Sequence, residues 1–222
     1  MQEIVLEVWG DFACFSAPFN KVERLTSPFP TPSAAKGILS AIYMKPAEFY
    51  YQINRIEVLN PIRYISFKRN EVKCKVAGNK PIYTQSVGVE KGQHTPRQTV
   101  ALKDVRYRIA ASIIPREAYV GKEKQLYEQA LRRIRSGKCF HQPALGLREF
   151  AAYFEESDRQ RKPINESLDA GLMVYDVFSP YDYVVHKKAE PQLSLYHAVM
   201  KEGVIQVPPY ESPEVLKGGR IC

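Results

Sequence analysis

From residue 104 to residue 114 the chain alternates over its whole length. Val105, Tyr107, Ile109, Ala111 and Ile113 fall on one side, and Arg106, Arg108 and Ser112 on the other. Successive side chains of a strand point to opposite faces, so this pattern predicts a strand with one face on a core and one toward solvent. The backbone groups of such a strand need partners, and the chain has to build a sheet around it. Residues 3–9 alternate in the same way, with Ile4, Leu6 and Val8 against Glu3, Glu7 and Trp9, and Gly10-Asp11 is the expected end of that strand. Ile53, Ile56 and Val58 form a further apolar run closed by Asn60-Pro61. Phe150, Ala152 and Phe154, alternating with Ala151 and Tyr153, read as another strand.

Two helices fit between these strands. In TPSAAKGILSAIYMKP, residues 31–46, Thr31 or Ser33 can cap a helix and Pro32 suits its first position. The helix is expected over residues 34–44, with Pro46 as its stop. Ala35, Ile38, Leu39 and Ile42 share one face. Ala34, Gly37, Ser40 and Ala41 are small enough for a close approach to a sheet. Tyr43 ends the helix and on spacing alone reads as a boundary aromatic with its hydroxyl in water. Residues 117–136 predict a second helix, with Leu126, Ala130 and Ile134 at i, i+4 and i+8 and Gly137 as its C-terminal cap. Arg132, Arg133, Arg135 and Lys138 suit the negative end of the helix dipole. Lys122 and Lys124 lie at the positive end, where the dipole does not explain them.

Strand, helix, strand, repeated twice, predicts an α+β chain with a ferredoxin-like antiparallel sheet and both helices on one face. That domain is expected over residues 1–157. The polar run 158–162 before Pro163 marks its end. Residues 158–222 read as a small C-terminal β-rich domain, with a strand at 171–178 and a hairpin of 196–200 and 204–207 around Lys201-Glu202-Gly203. The residues from Pro208 onward read as loose.

With 222 residues, 45% of them apolar, the chain can bury a substantial core. It has no apolar run of bilayer length and no secretory leader, so no membrane partner is expected. Cys14, Cys74, Cys139 and Cys222 are scattered, which gives neither a zinc framework nor a disulfide scaffold and points to a reducing cytoplasm. The charge is uneven. Between Arg63 and Arg108 eleven Lys or Arg stand against three acids, a surplus that equals the net +8 of the whole chain. The segment 63–103 is rich in turn residues, with Gly78-Asn79, Gly88, Gly92 and Pro96, and reads as a basic, hairpin-like insertion. Concentration of charge in one segment points to a polyanion.

A ferredoxin-like sheet with a basic insertion favours single-stranded RNA, with aromatics stacking on bases and cations tracking phosphates. Phe15, Phe19 and Phe67 are the aromatics with basic neighbours; each taken alone reads as core. Residues 137–150, GKCFHQPALGLREF, form a glycine-containing turn whose N–H groups can approach phosphate, and Arg148 can pair with phosphate or guanine. There is no Walker loop, no HExxH and no Ser-His-Asp arrangement. The four histidines, 94, 141, 186 and 197, are dispersed, and His141 alone lies in a suggestive loop. No cofactor or metal site is expected.

Several words of the chain carry a family resemblance: VWGDFACFSAPFNKVER at 8–24, PSAAKGILSAIYMKP at 32–46, KRNEV at 68–72, LRRIRSGKCFHQPALGLREF at 131–150 and AVMKEGVI at 198–205. In this order they resemble the CRISPR-associated Cas-five family, in its type I-C form, within the RAMP superfamily. The resemblance implies an RNA-binding, ferredoxin-like domain followed by a small β-rich one. It implies a ribonuclease that cuts CRISPR repeat RNA without a metal, leaving a 2′,3′-cyclic phosphate and a 5′-OH. It also implies that the protein stays on the 5′ handle of the crRNA, among the other Cas subunits of a surveillance complex.

The family tyrosine in the IYxKP word matches Tyr43. The family Lys-His pair before the second helix does not match cleanly. The chain reads Gly121-Lys122-Glu123-Lys124-Gln125, so either Lys122 or Lys124 takes the lysine position, and Glu123 or Gln125 stands where histidine is expected. Histidine is the natural proton carrier near neutral pH, and its loss favours the rival reading of a non-catalytic handle-binding scaffold. Expected catalytic residues are Tyr43 with Lys122 or Lys124. Expected RNA contacts are Lys21, Arg24, Lys36, Lys68, Arg69, Arg97, Gly146 and Arg148. Contact with target DNA rests on the same basic segment, because charge alone does not separate RNA from DNA.

Overall fold

The computed structural model describes residues 2–16, 20, 23–72, 94–181 and 191–218. The chain runs β1 (Glu3–Ala13), β2 (Arg24–Leu25), α1 (Pro32–Ile42), β3 (Phe49–Val58), β4 (Tyr64–Val72) and β5 (His94–Pro115). A 3-10 turn (Glu117–Tyr119) leads to α2 (Glu123–Arg135), β6 (Tyr153–Glu156), β7 (Leu168–Asp176), β8 (Ser194–Lys201), β9 (Val204–Gln206) and β10 (Val215–Lys217). Among the described residues, no helix is long and apolar enough to cross a membrane.

The alternating segment 104–114 is the inner half of β5, the strand around which the sheet is built. Its neighbours are β1 and β3, both antiparallel, and Ile109 stands between Leu6 and Ile56. The sheet order is β10-β8-β9-β3-β5-β1-β6, with β4 and β2 also paired to β5 and β7 paired to β8. Every pair is antiparallel except β2 with β5. The C-terminal strands reach the rest of the sheet through the pairing of β9 with β3.

Both helices lie on the sheet face that carries Ile4, Leu6, Val8, Tyr107, Ile109 and Ala111. Ile38, Leu39 and Ile42 of α1 and Leu126, Ala130 and Ile134 of α2 join the same core. Thr31 caps α1, its hydroxyl accepting from the Ala34 N–H at 3.1 Å, while Ser33 donates instead to Asp176. Gly137 follows α2 with φ +63°, as a C-terminal cap requires.

Several sequence expectations are corrected. β1 does not end at Gly10-Asp11 but continues to Ala13, because β5 extends past the alternating segment and keeps pairing it through Phe12 with Lys103. The strand expected from residue 104 starts earlier, at His94, and within the insertion read as hairpin-like β4 pairs it from Tyr64 with Leu102 to Val72 with His94. The turn residues 78–92 lie outside the described residues. The chain beyond Pro208 is not uniformly loose, since β10 pairs β8. The small side of α1 does not meet the sheet: Gly37 is exposed, and this flank faces a loop after α2.

The largest departure concerns the outer face of the sheet. Arg108 and Glu7, expected toward solvent, are 4% and 2% exposed. Arg108 donates to Glu7 at 3.0 Å, to Glu57 at 2.5 Å, to the Ser157 hydroxyl at 2.7 Å and to the Arg161 carbonyl at 2.8 Å. Arg106 adds a bond to the second Glu7 oxygen at 2.8 Å. The chain after β6 crosses this face and closes it. Alternation tells the two faces apart but cannot reveal that both are covered.

Candidate active-site cleft and the groove beside it

α1 ends at Tyr43, whose N–H still donates to the Leu39 carbonyl while its own φ and ψ are extended. The turn that follows is tied by the Lys45 carbonyl, which accepts from the N–H groups of Glu48 and Phe49 at 2.9 and 3.1 Å. The Tyr43 ring packs on Phe49 at 5.3 Å between centroids, with the Arg133 guanidinium 5.6 Å from its centre on another side. At 5% exposure it is not the boundary aromatic that spacing suggests. Burial pushes the Tyr43 phenol above its ordinary value. Lys45, Arg133 and Arg132 pull the other way without cancelling that.

Lys122 is the N-terminal cap residue of α2, after Gly121 turns the chain with φ +88°. The Glu123 carboxylate reaches back to accept from the Gly121 N–H at 3.0 Å. This start brings Lys122 over the ring of Tyr119, 5.0 Å from its centre. The result is a cleft of about 330 Å³ lined by Tyr43, Lys45, Glu48, Tyr119, Lys122, Gln125, Leu126 and Gln129. The structure therefore separates the two candidate lysines. Lys122 shares the cleft with Tyr43. Lys124 is exposed on the helix surface and faces Glu128 at 3.8 Å. Of the two residues at the expected histidine position, Gln125 lines the cleft and Glu123 serves the backbone at the helix start.

The other flank of the α1 C-terminus holds a groove of about 730 Å³. One wall is Ala34, Gly37, Ser40, Ala41 and Met44; the other is His141, Gln142, Ala144, Gly146 and Arg148. The loop is seated by the Phe140 and His141 N–H groups, which donate to the Ala41 carbonyl at 2.8 and 2.9 Å and so satisfy an acceptor in the last turn of α1. It is held at its far end by the Cys14 N–H, which donates to the Leu145 carbonyl at 2.9 Å. Gly146 has φ +87°, and a Cβ there would lie 1.9 Å from the Cys14 carbonyl oxygen, so only glycine fits. His141 lines this groove and not the Tyr43 cleft.

The remaining basic candidates are scattered. Arg24, Arg69 and Arg97 share two carboxylates: Arg24 and Arg97 reach Glu71 at 3.1 and 3.3 Å, and Arg24 and Arg69 reach Glu149 at 3.4 and 2.5 Å. Lys68, next to Arg69 on β4 but on the opposite face of the strand, is exposed and makes no ion pair among the described residues. Lys36 is paired with Asp176. Lys21 lies outside the described residues. Of the stacking candidates, Phe15 is buried against Tyr107, Phe67 packs edge-on against Phe150, and Phe19 lies outside the described residues. The sequence reading missed Lys45, Glu48, Tyr119 and Arg133 around Tyr43. The first two follow Tyr43 within five positions, but no periodic pattern marks a turn residue as facing a cleft.

The profile of the CRISPR-associated protein family (Cas_Cas5), in its Cas_Cas5d form, matches residues 3–208. A CRISPR pre-crRNA endoribonuclease Cas5d of Mannheimia succiniciproducens is 37% identical over 228 residues, covering 96% of this chain and 97% of its own. Another protein of that name, from Thermus thermophilus, is 34% identical over 233 residues, covering 98% and 96%. Among solved structures, a CRISPR-associated protein superposes with a TM-score of 0.67 at 22% identity, over 97% of this chain and 96% of that one. The functionally uncharacterised protein SMU1763c of Streptococcus mutans gives 0.65 at 21%, over 97% of each. The family profile spans residues 3–208 and the two endoribonuclease relatives match over nearly the whole chain, both sides of the cleft included: the chain belongs to the Cas5d family of CRISPR-associated proteins.

Proposed function

We propose that this chain cuts CRISPR precursor RNA in the cleft between Tyr43 and Lys122 and remains on the 5′ handle of the product. The observation that carries this reading is the shared cleft. The one tyrosine and one of the two lysines singled out from the sequence line the same cavity, at the start of α2. A helix start adds backbone N–H groups and a positive dipole end, which suit a phosphate. The names of the two relatives, both pre-crRNA endoribonucleases, support the same chemistry.

Cleavage runs without a metal. The ribose 2′-oxygen attacks the adjacent phosphorus, the bond to the 5′-oxygen breaks, and the products are a 2′,3′-cyclic phosphate and a 5′-OH. Lys122 supplies positive charge to the phosphorane. Tyr43 keeps its proton at neutral pH and donates a hydrogen bond to a phosphate oxygen, a donor role rather than a base. The RNA approaches along the groove beside α1, where Arg148 and the N–H groups around Gly146 hold phosphates, and crosses the helix end between Met44 and Tyr43. Lys21, Arg24, Lys68, Arg69 and Arg97 extend the contact along the basic insertion. The order β6-β1-β5-β3 with both helices on one face supports a ferredoxin-like N-terminal core, followed by a small C-terminal β-rich domain. Assembly with the other Cas subunits of a type I-C surveillance complex follows from retention of the handle.

The test is cleavage of the chain's own repeat hairpin RNA in EDTA, with end-group analysis. One cut with a cyclic phosphate is expected. Tight binding with no cut at enzyme excess overturns the catalytic reading. It favours the scaffold reading instead, for which the absence of a histidine among the described cleft-lining residues argues.

A further inference from the structure

An attack by the 2′-oxygen requires a group that takes its proton, and among the described residues no histidine lines the cleft for this. Its titratable side chains are Tyr43, Lys45, Glu48, Tyr119 and Lys122. Tyr43 is raised above its ordinary value by burial, and Lys45 by its hydrogen bond to Glu48. Both hold their protons at neutral pH and cannot accept another.

Among the described residues, Glu48 is the one carboxylate lining the cleft. It is held at both backbone ends: its N–H donates to the Lys45 carbonyl at 2.9 Å, and its carbonyl accepts from the Arg116 N–H at 2.8 Å. One carboxylate oxygen accepts from Lys45 Nζ at 2.7 Å, and the side chain is 19% exposed. The Lys45 side chain is half exposed and can swing toward a bound phosphate.

We infer that Glu48 is the proton acceptor of the cleft, standing in for the histidine this chain lacks. The inference rests on the catalytic reading above. On binding, the scissile phosphate draws Lys45 away and leaves the carboxylate open to the 2′-OH. The 2′-proton passes to Glu48 as the bond from O2′ to phosphorus forms. The bond from phosphorus to O5′ breaks as Lys122 gives a proton to O5′. A proton then returns from Glu48 to Lys122 through water, and both groups are reset. Among the described residues, the charged or titratable groups that line the cleft with Glu48 are Lys45 on its own turn, Tyr43 ending α1, Tyr119 on the 3-10 turn and Lys122 opening α2; Arg116, after β5, meets Glu48 through its backbone N–H and turns its guanidinium to the Pro180 and Tyr181 carbonyls. Arg132 and Arg133 of α2 lie beyond the Tyr43 ring.

The experiment is single-turnover cleavage of the repeat hairpin RNA in EDTA across pH, with RNA binding and thermal melting measured in parallel. Glu48→Gln is expected to slow cleavage by ~10²–10⁴-fold, with affinity within a few-fold and the acid-side fall in rate removed. Glu48→His is the second variant. It is expected to cut faster than Glu48→Gln, with the acid-side fall moved up to about pH 6.5, where imidazole titrates. A merely structural Glu48 would not move that limb. Wild-type cleavage with an unchanged rate in Glu48→Gln, or an unmoved limb in Glu48→His, overturns the inference and leaves the catalytic reading standing. A wild-type protein that binds without cutting overturns both.

Discussion

Tyr43 and Lys122 line one cleft from the ends of two helices: Tyr43 closes the C-terminus of α1 and Lys122 opens α2. Two positions on, Lys124 is on the helix surface beside Glu128. Lys122→Ala is therefore expected to slow single-turnover cleavage by ~10²–10³-fold, the magnitude typical for loss of one preorganised charge-stabilising group. Lys124→Ala is expected to cleave within about threefold of wild type, since an exposed i, i+4 pair contributes only a few tenths of a kcal/mol. A reversal of the two results would assign the chemistry to Lys124 and reject the cleft.

The Tyr43 phenol is pushed up from its ordinary value by burial. A group with a raised value holds its proton below and through its ordinary range near pH 10. The hydrogen bond it donates is thus constant from neutral to mildly alkaline pH. Tyr43→Phe is expected to lower the rate by ~10²-fold or more at every pH from 6 to 9, with RNA affinity within a few-fold. A deficit that shrinks steadily toward low pH would identify Tyr43 as a base instead.

The buried cluster on the outer sheet face gives a stability prediction. Burial alone would raise the Glu7 carboxyl, but hydrogen bonds from Arg106, Arg108 and Ser157 outweigh it and hold the group below its usual value. A lowered folded value means stability that is complete above the unfolded carboxylate range and lost as pH falls through the folded value. Melting temperature is therefore expected to drop below about pH 4.5, and less steeply in Glu7→Gln. Arg108→Met leaves Glu7 and Glu57 without their shared partner and is expected to cost ~3–5 kcal/mol in denaturant unfolding.

The sheet strands and both helices were legible because each hides one face and shows it as a period. Ile4, Leu6 and Val8 alternate; Leu126, Ala130 and Ile134 recur by fours. Arg108 was not legible, because what covers it is the distant chain around Ser157 and Arg161. The flank of α1 misled for a related reason: small residues permit a close neighbour without naming it, and the neighbour is the loop at His141. Tyr43 was singled out through a family word, but the choice between Lys122 and Lys124 depends on how the 3-10 turn aims the start of α2. Glu48 occupies a short turn, where no period exists to read.

The loop that walls the groove depends on one glycine. Gly146→Ala puts a Cβ against the Cys14 carbonyl and forces a left-handed backbone on a residue that resists it. The clash is with backbone, so the loop has to move. Melting is expected to show a loss of ~1–3 kcal/mol, with RNA binding weakened more than chemistry per bound RNA. Unchanged RNA affinity in a folded Gly146→Ala protein would take the groove out of the RNA path.

Charge on the insertion can be tested without disturbing the fold at Lys68. Arg24, Arg69 and Arg97 share Glu71 and Glu149, so removing any of them also takes one of two partners from a carboxylate and confounds the reading. Lys68 is exposed on the opposite face of β4 from Arg69, with no ion pair among the described residues. If it neutralises one RNA phosphate, Lys68→Gln lowers the slope of log affinity against log salt by about 0.7, the value for one single-strand contact. Affinity near physiological salt falls only a few-fold, and the cleavage rate of bound RNA stays at wild type, because the cleft is built from other elements. An unchanged slope places the RNA away from the face of β4 that carries Lys68.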